Sequence, residues 1–390
     1  MTGLLKDVMH DRADSLDAPD LDVAAMLRDG DRQVRRRLTG VVGAVAASLV
    51  VVAGIAVPTV LSDDSRGPDV ATPVVSYELA YALGGTIHDG SRTVETDLAI
   101  NALVQAPSGY VVADRQGRVH TVVDGESQQV GRLADPDRGR LVSDDDVVAW
   151  VDAAEAGALS VLDLATGDRV DVPIEDLPGD PVSPNPGSVG GAGADIVAVD
   201  GRTVYVPAAR GVLAWDALDG GDPVLLPAAD GVGAEVLQVE DGEILQVATS
   251  FEPQEVDGST TMVQVEELRS GPDLLDTRAL PGTGGALSPD GQRAVLHTRV
   301  SPPDGVSYYT TVVGEVGADA WTPVAPQPYD SVLGYQWLDA DTFAATASIS
   351  TETSARQDLL TCEADTATCT VALRGGGADS PVVATGRVAG

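Results

Sequence analysis

A group of four short, strand-like runs recurs along the chain from residue 75 onward. The runs are rich in Val, Leu and Thr, turns bearing Gly, Asp or Pro separate them, and helical periodicity is almost absent. Six full groups begin at or near Asn101, Gly139, Ala194, Glu235, Gly284 and Val332. The starts lie 38 to 55 residues apart, which is the range for blades of a β-propeller. The sequence therefore predicts an all-β propeller over residues 75–390.

Two further segments flank the six groups. Residues 76–98 contain two or three strand-like runs, and residues 381–388 contain one more. If they pair, the two ends of the domain complete a seventh blade and remove the sheet edges that an open ring would expose. Seven blades are therefore predicted, with six as the alternative. The turn between the first and second runs of a group is often Asp-Gly, which supplies the positive φ of a tight hairpin. It occurs at Asp200-Gly201, Asp241-Gly242 and Asp290-Gly291.

Three segments of these groups resemble blades of known propeller families. GALSPDGQRAVLHT, residues 285–298, resembles the WD-repeat-like blade of bacterial exported propellers, and residues 157–173 and 211–227 are similar to the outer hairpins of quinoprotein-type propellers. The resemblance implies a fold and no particular activity. No set of quinone-binding residues is found, and Ser288-Pro289-Asp290-Gly291 departs from the sialidase box, so no cofactor is expected.

An uncharged run of 24 residues, Leu38–Leu61, precedes the propeller. As a helix it is about 36 Å long, enough to cross a bilayer. Its length disfavours a cleaved signal peptide. Because basic residues stay on the cytoplasmic side, the arginines before the run predict an N-terminus inside and a propeller outside a cell membrane. These topology determinants are Arg32, Arg35, Arg36 and Arg37.

The predicted organisation is a cytoplasmic tail (1–37), one membrane span (38–61), a linker (62–74) and an extracytoplasmic propeller (75–390). The tail reads as two short amphipathic helices, too small to form a core alone. Either it is disordered or it binds a cytoplasmic protein. It resembles the cytosolic heads of actinobacterial membrane proteins associated with sigma factors. A single lysine against 23 arginines also suggests a GC-rich, actinobacterial genome.

The propeller segment is strongly acidic. The whole chain has a formal net charge of −36, and the first 37 residues hardly contribute, with seven basic and eight acidic side chains. Such a domain should repel nucleic acid and anionic lipid. Either this acidic surface is solvated and has no specific partner, or it binds a cationic or peptide ligand.

Only two cysteines occur, Cys362 and Cys369, and both lie in the predicted outer domain. Their flanks read as two strands joined by a turn, so a cross-strand disulfide in an oxidising compartment is predicted. A zinc site is the alternative, but two cysteines and four scattered histidines do not provide four ligands.

The long connections indicate where a ligand would bind. In a propeller, the loops between second and third strands and the crossovers between blades emerge on one face. Long connections at 174–193, 250–258, 301–305 and 348–354 all belong to this set, and long loops on a rigid scaffold are common binding sites. Insertions without function are the alternative. The candidate binding residues are Glu252, Glu255, Asp257, Asp304, Tyr308, Glu352 and Arg356.

No catalytic motif is present. The outer domain offers three histidines, all in strand-like runs, with no Gly-x-Ser-x-Gly element and no calcium loop. We therefore favour a membrane-anchored binding or sensing module over an exported carbohydrate- or peptide-active enzyme or an envelope scaffold. Carboxylates with strongly shifted pKa values clustered at the central channel would favour the enzyme.

Overall fold

The computed structural model describes residues 77–153, 157–179, 196, 198–228, 233–256, 259–300, 308–350, 355–375 and 381–386. All of these belong to one compact unit, Ala71–Gly390. The predicted tail, membrane span, linker and their arginines lie outside the described residues. Among the residues that are described, no helix is long and apolar enough to cross a membrane.

The described strands form seven sheets of four antiparallel strands. The first three strands belong to blade seven and are β1 (Ala80–Leu83), β2 (Thr86–Asp89) and β3 (Arg92–Glu95). Blade one contains β4 (Ile100–Ala106), β5 (Gly109–Asp114), β6 (Arg118–Val123) and β7 (Glu126–Arg132). Blade two contains β8 (Val142–Asp144), β9 (Val147–Asp152), β10 (Ala158–Asp163) and β11 (Arg169–Pro173). A 3-10 helix, Ile174–Asp176, follows blade two.

The remaining blades follow in chain order. Blade three contains β12 (Ala198–Asp200), β13 (Thr203–Ala208), β14 (Gly211–Asp216) and β15 (Val224–Pro227). Blade four contains β16 (Gly233–Glu240), β17 (Glu243–Val256), β18 (Ser259–Gly271) and β19 (Arg278–Ala279). Blade five contains β20 (Gly284–Leu287), β21 (Arg293–Val300), β22 (Tyr308–Glu315) and β23 (Thr322–Val324). Blade six contains β24 (Ser331–Trp337), β25 (Thr342–Ser350), β26 (Ala355–Glu363) and β27 (Thr368–Leu373).

Strand β28 (Val382–Val383) completes blade seven. It pairs with β1 through Ala82↔Val382 and Tyr81↔Val383, so the strand order in this blade is β28-β1-β2-β3. The innermost strand therefore comes from one end of the domain and the three outer strands from the other. The predicted all-β propeller, its seven blades and its closure from both ends are confirmed.

The innermost strands form a ring. From β28 through β4, β8, β12, β16 and β20 to β24, each contacts the next. Among the described residues, seven clusters of buried apolar side chains occupy the seven interfaces between neighbouring blades. The core is thus distributed around the ring, because each sheet must bury both of its faces.

The ring has two faces, which carry different sets of connections. We define the loop face as the one that carries the connections between second and third strands and the crossovers between blades. The turn face carries the other connections, from first to second and from third to fourth strands. The three Asp-Gly turns expected between first and second strands lie there. In Asp241-Gly242 both residues have positive φ, 47° and 78°, as a two-residue type I′ hairpin requires.

The predicted disulfide is also confirmed. Cys362 of β26 and Cys369 of β27 are direct cross-strand partners, and their sulfur atoms are bonded. Cys362 is fully buried and contributes to the apolar cluster between blades five and six. The bond therefore ties the outermost strand of blade six to the part of the blade that packs against its neighbour.

Candidate functional site

The hairpin of β17 and β18 projects beyond the rest of blade four on the loop face. The two strands pair at thirteen positions, from Ile244↔Gly271 to Val256↔Ser259. The inner neighbour, β16, pairs with β17 only as far as Thr249. The outer neighbour, β19, pairs only with Arg269 and Ser270 of β18. The outer half of the hairpin is thus a two-stranded ribbon.

This geometry corrects one expectation. The segment at 250–258, which carries Glu252, Pro253 and Glu255, was predicted to be an irregular loop. Instead, β17 continues through Val256, because each of its residues has a partner in the Thr-rich and Val-rich run of β18. Extended cross-strand pairing outweighs the poor strand propensity of Pro and Glu.

Large apolar side chains are exposed on this ribbon. Phe251 is 58% exposed and Met262 is 57% exposed. Phe251 faces Gln264 and Pro253 faces Met262, so alternation places Phe251 and Met262 on the same face of the ribbon. Deeper on that face, Leu268 packs in the cluster shared with blade five. Exposed apolar residues grouped in this way mark interaction sites more often than single ones do.

Blade five adds a third exposed apolar side chain on the loop face. Tyr309 lies near the start of β22, opposite Arg299, and is 53% exposed. Sequence reasoning selected neither Phe251, which lies in the predicted connection at 250–258, nor Met262, which lies in a run that resembles an ordinary strand.

The predicted binding residues are only partly described. Glu252 and Glu255 lie on β17 and are exposed. Tyr308 begins β22 and Arg356 lies in β26, but their side chains are not described. Asp257, Asp304 and Glu352 lie outside the described residues, as do most of the connections at 174–193, 301–305 and 348–354.

A polar cavity of about 460 Å³ opens on the turn face, between blades four, five and six. Arg278 binds Glu243 at 3.0 Å, and Arg293 binds Asp341 at 2.7 Å and Asp365 at 2.8 Å. Both guanidinium groups are thus used in ion pairs. The lining residues are Asp241, Glu243, Arg278, Asp290, Gly291, Gln292, Arg293, Glu315, Val316, Ala340 and Asp341.

Carboxylates with raised pKa values lie where the innermost strands end on the turn face. Burial raises the pKa of Asp144, at the end of β8, to about 6. Burial also raises the pKa of Asp200, at the end of β12, and that of Glu240, at the end of β16, with the Asp144 carboxylate adding to the effect on Glu240. The pKa of Tyr77 is raised by its own burial and then by the carboxylates of blade two.

These carboxylates also connect blades. Asp144 Oδ2 accepts a hydrogen bond from the backbone N–H of Gly201 at 2.6 Å. The two oxygens of Asp200 accept from the N–H groups of Asp241 and Gly242, each at 3.1 Å. The last residue of one innermost strand thus holds the first turn of the next blade. Sequence reasoning missed this arrangement, although each acid stands directly before a first turn.

His88, His120 and Trp150 have structural environments. Burial lowers the pKa of His120, whose Nε2 lies 3.9 Å from Asp114. His88 stacks on Tyr81. Trp150 is fully buried and donates to Asp152. The described residues contain no group of His, Cys, Asp or Glu arranged to hold a metal ion.

The architecture defines a seven-bladed β-propeller with an extended, partly apolar hairpin on its loop face. No protein-family profile and no curated protein matches the sequence. Solved structures of similar fold include TolB from Acinetobacter baumannii, 15% identical, covering 75% of this chain and 68% of that chain with a TM-score of 0.37. The propeller domain of the Trilobed protease from Pyrococcus furiosus is 10% identical, with 72% and 85% coverage and a TM-score of 0.44. An ulvan lyase is 12% identical, with 77% and 87% coverage and a TM-score of 0.39. These similarities concern the fold alone.

Proposed function

We propose that this protein is a membrane-anchored binding module whose propeller engages a protein partner outside the cell through the loop face of blades four and five. The observation that carries the proposal is the projecting β17–β18 ribbon, with Phe251 and Met262 exposed on one face. Aromatic side chains and Met are enriched at protein interfaces. Glu252 and Glu255 on the same ribbon favour a cationic partner.

Photo-cross-linking in producing cells tests the location of the site. Benzoylphenylalanine replaces Phe251 in one strain and Leu275 in another. Leu275 is 57% exposed and lies between β18 and β19 on the turn face, so it controls for exposure of an apolar side chain. We expect a discrete cross-linked product from position 251 and none from position 275. A product from position 275 alone would place the interface on the turn face.

The anchor and the tail extend this proposal. The uncharged run Leu38–Leu61 supports a single span with the propeller outside, and the tail at 1–37 would carry the binding signal to a cytoplasmic protein of the sigma-factor-regulating kind. A reporter fused after Gly390 should be active only outside the cytoplasm. Activity of that reporter in the cytoplasm would contradict the topology, and with it the site of binding.

An enzyme acting on carbohydrate or peptide is the second candidate function. The raised pKa values of Asp144, Asp200 and Glu240, which end three innermost strands, favour it, because glycoside hydrolysis uses a protonated and an ionised carboxyl group together. The inter-blade hydrogen bonds of Asp144 and Asp200 give two of these groups a structural role instead. The test is to assay the native protein for hydrolysis of carbohydrate and peptide substrates. Loss of such an activity in a folded Glu240→Gln variant would establish this second function.

A further inference from the structure

The outer strand of the β17–β18 ribbon has an open edge. Among the described strands, none pairs with the outer side of β18 between Ser259 and Glu267, since β19 reaches only Arg269 and Ser270. Nine residues of extended strand span about 30 Å. An unpaired edge of this length is a template for another strand unless something covers it.

The direction of the free backbone groups follows from one hydrogen bond. The carbonyl oxygen of Leu268 accepts from the N–H of Leu280 at 2.8 Å, so Leu268 directs its backbone groups to the outer side. In an antiparallel strand, alternate residues direct these groups to the same side. Glu266, Gln264 and Met262 therefore present N–H and C=O groups outward, in the register that a strand partner needs.

We propose that an extended, basic segment of the protein partner adds to the outer edge of β18 as a further strand; this inference rests on the proposed function and specifies its mode of binding. Main-chain hydrogen bonds would provide affinity, and alternate side chains specificity. Side chains of the added strand that lie beside Met262 share the ribbon face that carries Phe251, so apolar residues fit there.

Charge complementarity predicts that the added segment is basic. The ribbon carries Glu252, Glu255, Glu266 and Glu267, distributed over its two faces. Of these, Glu267 binds Arg269 at the base of the ribbon at 2.7 Å. Glu252 and Glu267 lie on the face opposite Phe251. A strand with alternating basic and apolar residues would direct its basic side chains to that face and its apolar side chains toward Phe251 and Met262.

The test uses a defined probe, a labelled octapeptide of alternating lysine and valine, titrated by fluorescence anisotropy into the full chain in mild detergent. Two derivatives carry N-methyl groups on alternate residues. In one derivative the lysine residues are methylated, and in the other the valine residues. Since a β-strand directs alternate amides to opposite sides, one derivative should bind at least about tenfold more weakly and the other nearly as well as the parent. An octapeptide of alternating glutamate and valine should bind at least about tenfold more weakly.

Protein variants separate the edge from the side chains. Gln264→Pro removes an outward N–H from an edge strand, where Pro is tolerated, and should weaken binding at least about tenfold. Gln264→Ala also removes the side chain but keeps that N–H, so it should bind at least about tenfold more tightly than Gln264→Pro.

Three outcomes would overturn strand addition. They are equal binding of the two methylated peptides, native binding by Gln264→Pro, and no binding of the lysine–valine peptide at 1 mM, a concentration well above about micromolar affinity. The proposed function itself fails separately, if Phe251 gives no cross-linked product in cells.

Discussion

The carboxyl group of Asp144 should make the protein less stable as the pH rises. Its pKa is raised from 3.8 to about 6 in the folded protein, mainly by burial. The folded state therefore holds a proton at pH values where the unfolded chain has lost it. The stabilisation from this residue is complete below pH 3.8 and is lost as the pH rises through about 6.

The magnitude follows from the shift. Two pKa units correspond to about 3 kcal/mol, and partial solvent screening reduces this to about 1–3 kcal/mol. Asp144→Asn keeps an oxygen that accepts from Gly201 but cannot ionise. We therefore expect the variant to match the native protein near pH 4 and to exceed its free energy of unfolding by about 1–3 kcal/mol at pH 8.

The assay is urea unfolding of the full chain in mild detergent, between pH 4 and 8, followed by tryptophan fluorescence. Buried Trp150 reports on the interior of blades one and two. Asp145→Asn is the matched control, because Asp145 is exposed, belongs to the same turn and already has positive φ, which Asn tolerates. If Asp144→Asn is less stable than the native protein by the same amount at every pH, the hydrogen bond of the charged group dominates and the burial argument is refuted.

Three further changes test the ring and its blades. Gly386→Ala should lower the free energy of unfolding in urea by at least about 2 kcal/mol. The φ of Gly386 is 67°, and an added Cβ would overlap the backbone oxygen of Leu141, the residue before β8. An unchanged free energy of unfolding would contradict this contact at the closure of the ring. Reducing the bond between Cys362 and Cys369, or replacing both by Ser, should lower the free energy of unfolding by about 1–2 kcal/mol, because the bond closes a short loop. Two free thiols after non-reducing alkylation would disprove the disulfide. Arg293→Met should change the free energy of unfolding by less than about 1 kcal/mol, because the two aspartate partners of Arg293 in blade six are exposed. A loss above about 2 kcal/mol would show that these ion pairs stabilise the fold more than exposed pairs do.

The blades were predictable because their signals are local. Each group of strands is bounded by Gly, Asp and Pro within a few residues, and turns such as Asp241-Gly242 determine the hairpin type from two positions. Cys362 and Cys369 lie seven positions apart, so their pairing across a turn also followed from local spacing.

The site was less predictable because it depends on pairing over longer distances. Residues 250–256 become a strand only because β18 provides a partner for each of them, which outweighs the loop-like composition around Pro253. The contacts from Asp144 to Gly201 and from Asp200 to Gly242 join residues 57 and 42 positions apart. They arise when two blades meet, and no local pattern encodes that meeting.

The division of blade seven has a consequence for the time course of synthesis. Strand β1 leaves the ribosome roughly 300 residues before its inner partner β28. At about 5–20 residues per second, that interval lasts about 15–60 s. Throughout it, the inner edge of β1 lacks its final partner, and chains held at this stage could pair with one another through that edge. A stop codon shortly before Val382 would therefore remove very little mass and yet leave a product permanently in this aggregation-prone intermediate.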